Sequence, residues 1–141
     1  FDLIVPEELG EKRFEIMKQQ LDCYFGYKTF IEKRIMPVKV LQKIIGVETG
    51  FQKSKQETKS FASFSGSGLS MINQGMNILI TFLQSQLRIP ILDETKLNDK
   101  YDLDVPYYNE NPDQIYAELN KLGLQLIDEN REIEVLVIRD K

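Results

Sequence analysis

Tyr101-Asp102-Leu103-Asp104-Val105-Pro106 opens the last third of the chain, and together with the residues after Pro106 it decides the fold. The stretch reads as a strand. Pro112 then suits the first turn of a helix, and Asp113 favours the positive end of its dipole. Ile115, Leu119 and Leu122 form the apolar stripe of that helix, and Gly123 ends it. Residues 124–128 and 132–139 read as a hairpin turning near Glu129-Asn130-Arg131. The N-terminus repeats the layout. Phe1-Asp2-Leu3-Ile4-Val5 is a short strand stopped by Pro6, and Phe14, Met17, Leu21 and Tyr24 mark an amphipathic helix that Gly26 caps. Residues 27–32 and 37–43 read as a second hairpin, with Lys33-Arg34 near its turn. The offset between copies is 100 at the opening strands, 98 at the helices, 97 at the glycines and 95 at Val38 and Ile133. The expectation is therefore one strand–helix–hairpin unit used twice, with the first copy slightly longer at each joint.

Between the copies the sequence changes character. Residues 46–68 carry turn formers and charge with little periodicity, which predicts a long connection pinned at one or two of Phe51, Phe61 and Phe64. Residues 69–72 suit a short strand, and Asn73 a helix N-cap. Met76, Leu79, Ile80, Leu83 and Leu87 then mark the most hydrophobic helix of the chain. Residues 89–92 read as a strand whose Pro90 favours its start or an edge, and residues 93–100 as a polar turn. The fold class expected is α+β: duplicated βαββ units with an intervening βαβ module, mixed or antiparallel sheets, and helices packed on one face. The chain reads as a single two-lobed domain, with a first unit at 1–44, a loop at 45–68 and the remainder at 69–141.

With 141 residues, 42% of them hydrophobic, the chain is long enough to bury a core without a metal or disulfide staple. Eighteen basic against twenty-two acidic residues, with no basic stripe, argue against a nucleic-acid partner. No apolar run approaches the roughly 20 residues of a membrane span, and no signal-peptide pattern is present. The chain begins abruptly at Phe1, inside an expected strand, as the mature or excised part of something longer would. The single Cys23 excludes an internal disulfide and fits either redox compartment.

Several segments together resemble an uncharacterised, soil-associated bacterial family. They are Phe1-Asp2-Leu3, Phe25-Gly26-Tyr27-Lys28, Ser65-Gly66-Ser67-Gly68-Leu69-Ser70-Met71, Pro90-Ile91-Leu92-Asp93-Glu94-Thr95-Lys96-Leu97, Tyr101-Asp102-Leu103, Leu122-Gly123-Leu124 and Val135-Leu136-Val137-Ile138. The run from Pro90 to Leu97, followed by Tyr101-Asp102, is the most specific of these. Lys96 and Asp99 stand where that family commonly has glycines, so turn geometry is where this chain departs. The resemblance implies no established activity. It implies an exported or membrane-tethered domain, periplasmic or extracellular, found alone or joined to thioredoxin-like domains or to membrane peptidases of the beta-lactam-sensing type. Residues 69–141 are also similar in layout to the short N-terminal domain of secretins and TonB-dependent transducers, which is analogy about fold alone.

No constellation in the residues makes an active site. Histidine is absent, which removes the commonest general base and metal ligand, and one cysteine cannot close a zinc site. Asp93, Glu94, Asp99, Asp102 and Asp104 lack the spacing and glycine of a calcium loop, and read as caps, turns and a solvated face. Ser65-Gly66-Ser67-Gly68 lacks the lysine of a phosphate loop and reads as a flexible link. Cys23 lies off the apolar stripe of its helix and reads as an inert structural cysteine. No catalytic residue, cofactor or metal is therefore expected. The candidate partner-binding residues are Tyr107 and Tyr108, an aromatic pair beyond a strand end, and Glu132, Glu134 and Arg139, along a hairpin edge able to accept an added strand. The expected function is a non-catalytic extracytoplasmic binding or signalling module for a protein partner. The alternatives are an envelope hydrolase using two carboxylates and a structural spacer in a larger exported protein.

Overall fold

The computed structural model describes residues 12–24, 26–55, 57, 59–108 and 111–140. The expected opening strand at Phe1–Val5 lies outside them, as do the side chains of Phe14 and Leu21. The elements are α1 (Arg13–Tyr24), β1 (Tyr27–Lys43), β2 (Gln52–Lys53), β3 (Phe61–Ser65), β4 (Gly68–Gln74), α2 (Met76–Leu87), β5 (Ile91–Asp93), β6 (Tyr101–Pro106), α3 (Pro112–Lys121) and β7 (Leu124–Asp140). They form a three-stranded sheet ordered β5-β1-β7 and a four-stranded sheet ordered β2-β6-β4-β3. β5 runs parallel to β1, while the pairs of the second sheet are antiparallel. The α+β class with mixed and antiparallel sheets is borne out.

The two expected hairpins are each one uninterrupted strand of 17 residues. Lys33-Arg34 and Glu129-Asn130-Arg131 make no turn, because none of them adopts the positive φ that a tight hairpin requires. They are ordinary strand positions, and Lys33 pairs with Glu132 at 3.7 Å, while Arg34 pairs with Glu32 at 2.6 Å. The strands pair with each other instead. Phe30 meets Arg139 and Lys33 meets Glu132, so positions ascend on β1 as they descend on β7, and the pair is antiparallel. The repeat itself is sharper than its sequence. In both copies a helix is followed by a glycine with positive φ (Gly26 +67°, Gly123 +75°) and then by a 17-residue strand, at a constant offset of 97.

The chain divides into two compact units: Phe1–Met36 with Arg131–Lys141, and Pro37–Asn130. Both long strands cross this division, and the units cut across the segments 1–44, 45–68 and 69–141.

Within the second unit, one core joins Leu69 and Met71 of β4, Leu79, Phe82 and Leu83 of α2, Leu103 and Val105 of β6, Ile115 and Leu119 of α3, Leu41 and Leu124. The stripes expected in α2 and α3 supply it. Asn73 is not the cap of α2; Gly75 is. Asn73 occupies a bulge of β4 with φ +53°, where its N–H donates to Asp102 at 2.8 Å and to Ser54 at 3.1 Å. Asparagine adopts that left-handed conformation more readily than most residues. The cap of α3 is Asn111, whose side chain accepts from the Asp113 N–H at 3.1 Å.

The 45–68 connection is more ordered than its composition predicts. β2 and β3 lie in it, and β3 pairs with β4 over five residues. Lys39, between the buried Val38 and Val40 of β1, is not a solvated lysine. Its side chain is only 15% exposed, lies over the Tyr116 ring at 5.3 Å and pairs with Asp128 at 2.6 Å. Burial alone would lower the pKa of its ammonium, but Asp128 and Tyr116 more than reverse this and hold it above the ordinary value.

The motif from Pro90 to Leu97 is a folding device. The Asp93 carboxylate accepts from the Thr95 N–H and hydroxyl at 2.9 and 2.7 Å, and the Thr95 hydroxyl accepts from the Leu97 N–H at 3.2 Å. The Glu94 N–H donates to the Leu41 carbonyl at 2.9 Å, which fastens the turn to β1. These bonds let Thr95 be fully buried. Lys96 follows with φ +59°, the conformation glycine adopts freely. The glycine common at that position in the resembling family therefore has a backbone reason.

Candidate functional site

The five candidate partner residues do not gather. Tyr107 and Tyr108 belong to the second unit, and Glu132, Glu134 and Arg139 to the first. Tyr107 is half-buried, with its ring edge-on to Phe82 at 6.4 Å and its N–H donating to the Ser67 carbonyl at 3.0 Å. It serves packing. Tyr108 is 64% exposed and is held by its N–H, which donates to the Gln114 side chain at 3.1 Å. Glu132 pairs across the strands with Lys33, Arg139 lies over the Phe30 ring at 5.3 Å, and Glu134 lines a hollow.

That hollow, of about 420 Å³, belongs to the first unit. Met17 of α1, Ile31 of β1 and Val135 and Leu136 of β7 give it an apolar floor, and Glu15, Lys18 and Glu134 stand around it. The local sequence explains why it stays open. β1 and β7 carry apolar residues on both faces here, so one set faces water: Ile31 is 68% exposed, Ile35 76%, Leu136 50% and Ile138 52%. α1 is fixed to β1 by the Asp22 carboxylate, which accepts from the Thr29 N–H and hydroxyl at 3.1 and 3.3 Å. Tyr24, expected in the apolar stripe of α1, is 74% exposed, and Cys23 is exposed as well. Among the described residues β7 is an edge of its sheet. Periodicity could find α1 and the strands, but not which face of the ribbon is left bare.

In the second unit the outer face of the four-stranded sheet holds a smaller cleft of about 240 Å³, lined by four serines, Asp104, Pro106 and Tyr108 around Gly68. The Ser65-Gly66-Ser67-Gly68 run builds it as a β3–β4 turn and is not a flexible link. The remaining acidic residues are occupied locally. Asp93 holds its turn, Asp99 pairs with Lys53, and Asp102 accepts from the Ser54 hydroxyl and the Asn73 N–H. These last two bonds hold the Asp102 carboxyl below its ordinary value. Among the described residues no three His, Cys, Asp or Glu side chains come together as a metal set, and no helix is long and apolar enough to cross a membrane.

A family described as "Protein of unknown function (DUF3738)" matches residues 6–140, and so spans both units. The chain belongs to that family. No curated protein and no solved structure matches it. Membership of DUF3738 bears out the resemblance to an uncharacterised domain of unknown function.

Proposed function

We propose that this DUF3738 chain is a non-catalytic extracytoplasmic binding or signalling module that docks a protein partner on its first unit. The observation that supports this most is the coincidence of a sheet edge with exposed apolar side chains. Among the described residues β7 is an edge strand, and Leu136 and Ile138 of β7 are half-exposed, as Ile31 and Ile35 of β1 are exposed. An open edge offers backbone donors and acceptors, and the apolar side chains offer area that a partner strand would remove from water. The extracytoplasmic setting rests on the family resemblance alone.

One observation favours a carboxylate-dependent hydrolase as the second reading: Glu15 and Glu134 line the same hollow. Both are exposed, whereas the acid of such a pair needs an environment that keeps it protonated.

The test places a photo-crosslinking residue at position 136 in the whole chain and exposes it to the envelope fraction of the source cells. Controls are Leu136→Asp and a proline at a β7 position whose N–H points away from β1. A saturable crosslinked protein, lost in both controls while circular dichroism is unchanged, is the expected result. No crosslinked species from a folded chain, or one that survives both controls, overturns the proposal.

A further inference from the structure

The serine cleft of the second unit carries an independent inference. Register places its groups. Ser63 of β3 stands opposite Ser70 of β4, and Ser70 opposite Asp104 of β6, so the three form one row across three strands on one face. Directly opposed side chains lie about 5 Å apart at Cβ, a spacing at which one small ligand can bond to neighbours in the row. The opposite face of the same strands carries the buried Leu69, Met71, Leu103 and Val105, so the row lies on the outer side of a packed sheet.

The next row pairs Ser65 with Gly68. Gly68 has φ +119°, and a Cβ there would lie 2.1 Å from the Val105 carbonyl oxygen and 2.7 Å from the Tyr107 nitrogen. Only glycine therefore fits where β4 comes this close to the β6 backbone. Ser65 and Ser67 share a 2.7 Å hydroxyl bond that uses the single O–H of one of them, and Ser65 Oγ also accepts from the Ser67 N–H at 3.2 Å, so the pair keeps one O–H to donate. Among the described residues no partner is seen for the Asp104 carboxylate or for the Ser63 and Ser70 hydroxyls. Tyr108 stands exposed at the side of the cleft.

From this set of groups we infer a binding site for a neutral saccharide. A carboxylate accepts from two adjacent hydroxyls at once, and serines can both donate to and accept from the others. An exposed tyrosine ring offers the flat apolar surface on which the C–H face of a sugar ring rests while its hydroxyls stay polar. Among the described residues no lysine or arginine lines the cleft, which disfavours phosphate, nucleotides and acidic sugars. The volume of about 240 Å³ lies below the roughly 300 Å³ at which pockets for drug-sized ligands begin, so it suits one ring at a time. This site lies in the second unit and does not depend on partner docking by the first.

The test is an amide NMR titration of the whole chain with the methyl glycosides of glucose, galactose, mannose and N-acetylglucosamine, in parallel with methylammonium chloride. At least one glycoside produces saturable shifts at residues 63, 70, 104 and 108. Tyr108→Ala and Asp104→Asn, both at exposed positions that leave the core intact, each weaken that binding about tenfold. Absence of saturable shifts with all four glycosides overturns the inference, as do shifts that survive both substitutions. Saturation by methylammonium alone would replace it with a cation site.

Discussion

The same two strands behave differently in the two units. Along residues 37–43 of β1 and at the start of β7, Val38, Val40, Leu41 and Leu124 are at most 1% exposed. Along residues 27–36 and 131–140 the same strands leave Ile31, Ile35, Leu136 and Ile138 half-exposed or more. Composition does not separate the halves, since both are rich in β-branched and aliphatic residues. Cover does. In the second unit α2, α3 and the four-stranded sheet contribute side chains to one core with Leu41 and Leu124. Along these two strands the apolar surface left unburied lies in the first unit, which is why the docking proposal is placed there.

The sharpest way to break that contrast is to empty the core. Phe82 is 1% exposed and touches the rings of Phe64 and Tyr107, so Phe82→Ala should cost about 3–5 kcal/mol in urea denaturation. Leu136→Ser, at a position 50% exposed, should cost under about 1 kcal/mol. Comparable losses from the two would mean that the first unit holds a core of its own, and would remove the reason to treat its apolar strands as a docking surface.

Much of this division was legible in the sequence, though as turns rather than as a limit of burial. The stripes of α2 and α3, the cap glycines Gly26 and Gly123 and the strand at Tyr101–Pro106 follow from periodicity and turn chemistry, which are local properties. Lys33-Arg34 and Glu129-Asn130-Arg131 stand out as interruptions, but they are not turns. The division between the compact units falls beside them, between Met36 and Pro37 and between Asn130 and Arg131. A charged or polar interruption in a strand pattern marks the end of burial as readily as the end of the strand. What distinguishes the two is whether the partner strand is the next segment or one about a hundred residues away, and that is not a local property. The serine cleft was hidden for the same reason. Ser63, Ser70 and Asp104 become neighbours only through the pairing of β3, β4 and β6.

A smaller effect sharpens the contrast from the other side. Lys96 is held at φ +59° within the turn that fastens β5 to β1, and a side-chain-bearing residue is strained there. Lys96→Gly should raise stability by about 0.5–1 kcal/mol, the relief of left-handed strain less the added freedom of glycine when unfolded. The gain should appear as slower amide exchange at Leu41 and Thr95, with residues 27–36 unchanged. A destabilised variant would show that the lysine side chain has a role beyond occupying the turn.

The smallest expected effect is a pH dependence that begins at Asp102. The Ser54 hydroxyl and then the Asn73 N–H hold its carboxylate below the ordinary 3.8. Because the folded-state value is the lower one, the contribution to stability is fully present above the unfolded value and is lost as pH falls through the folded value. Asp102 is exposed, so the effect is modest and screened by salt. Wild type should exceed Asp102→Asn in denaturation midpoint at neutral pH, and the gap should close in acid below pH 3.8. The closing should be accompanied by faster exchange at Asn73, whose N–H depends on that carboxylate, while amides at 131–140 show no such step. A gap that stays constant from neutral pH into acid would mean that the bulge of β4 is held by its backbone alone. In that case the polar network joining β2, β4 and β6 would not contribute to the firmness of the second unit.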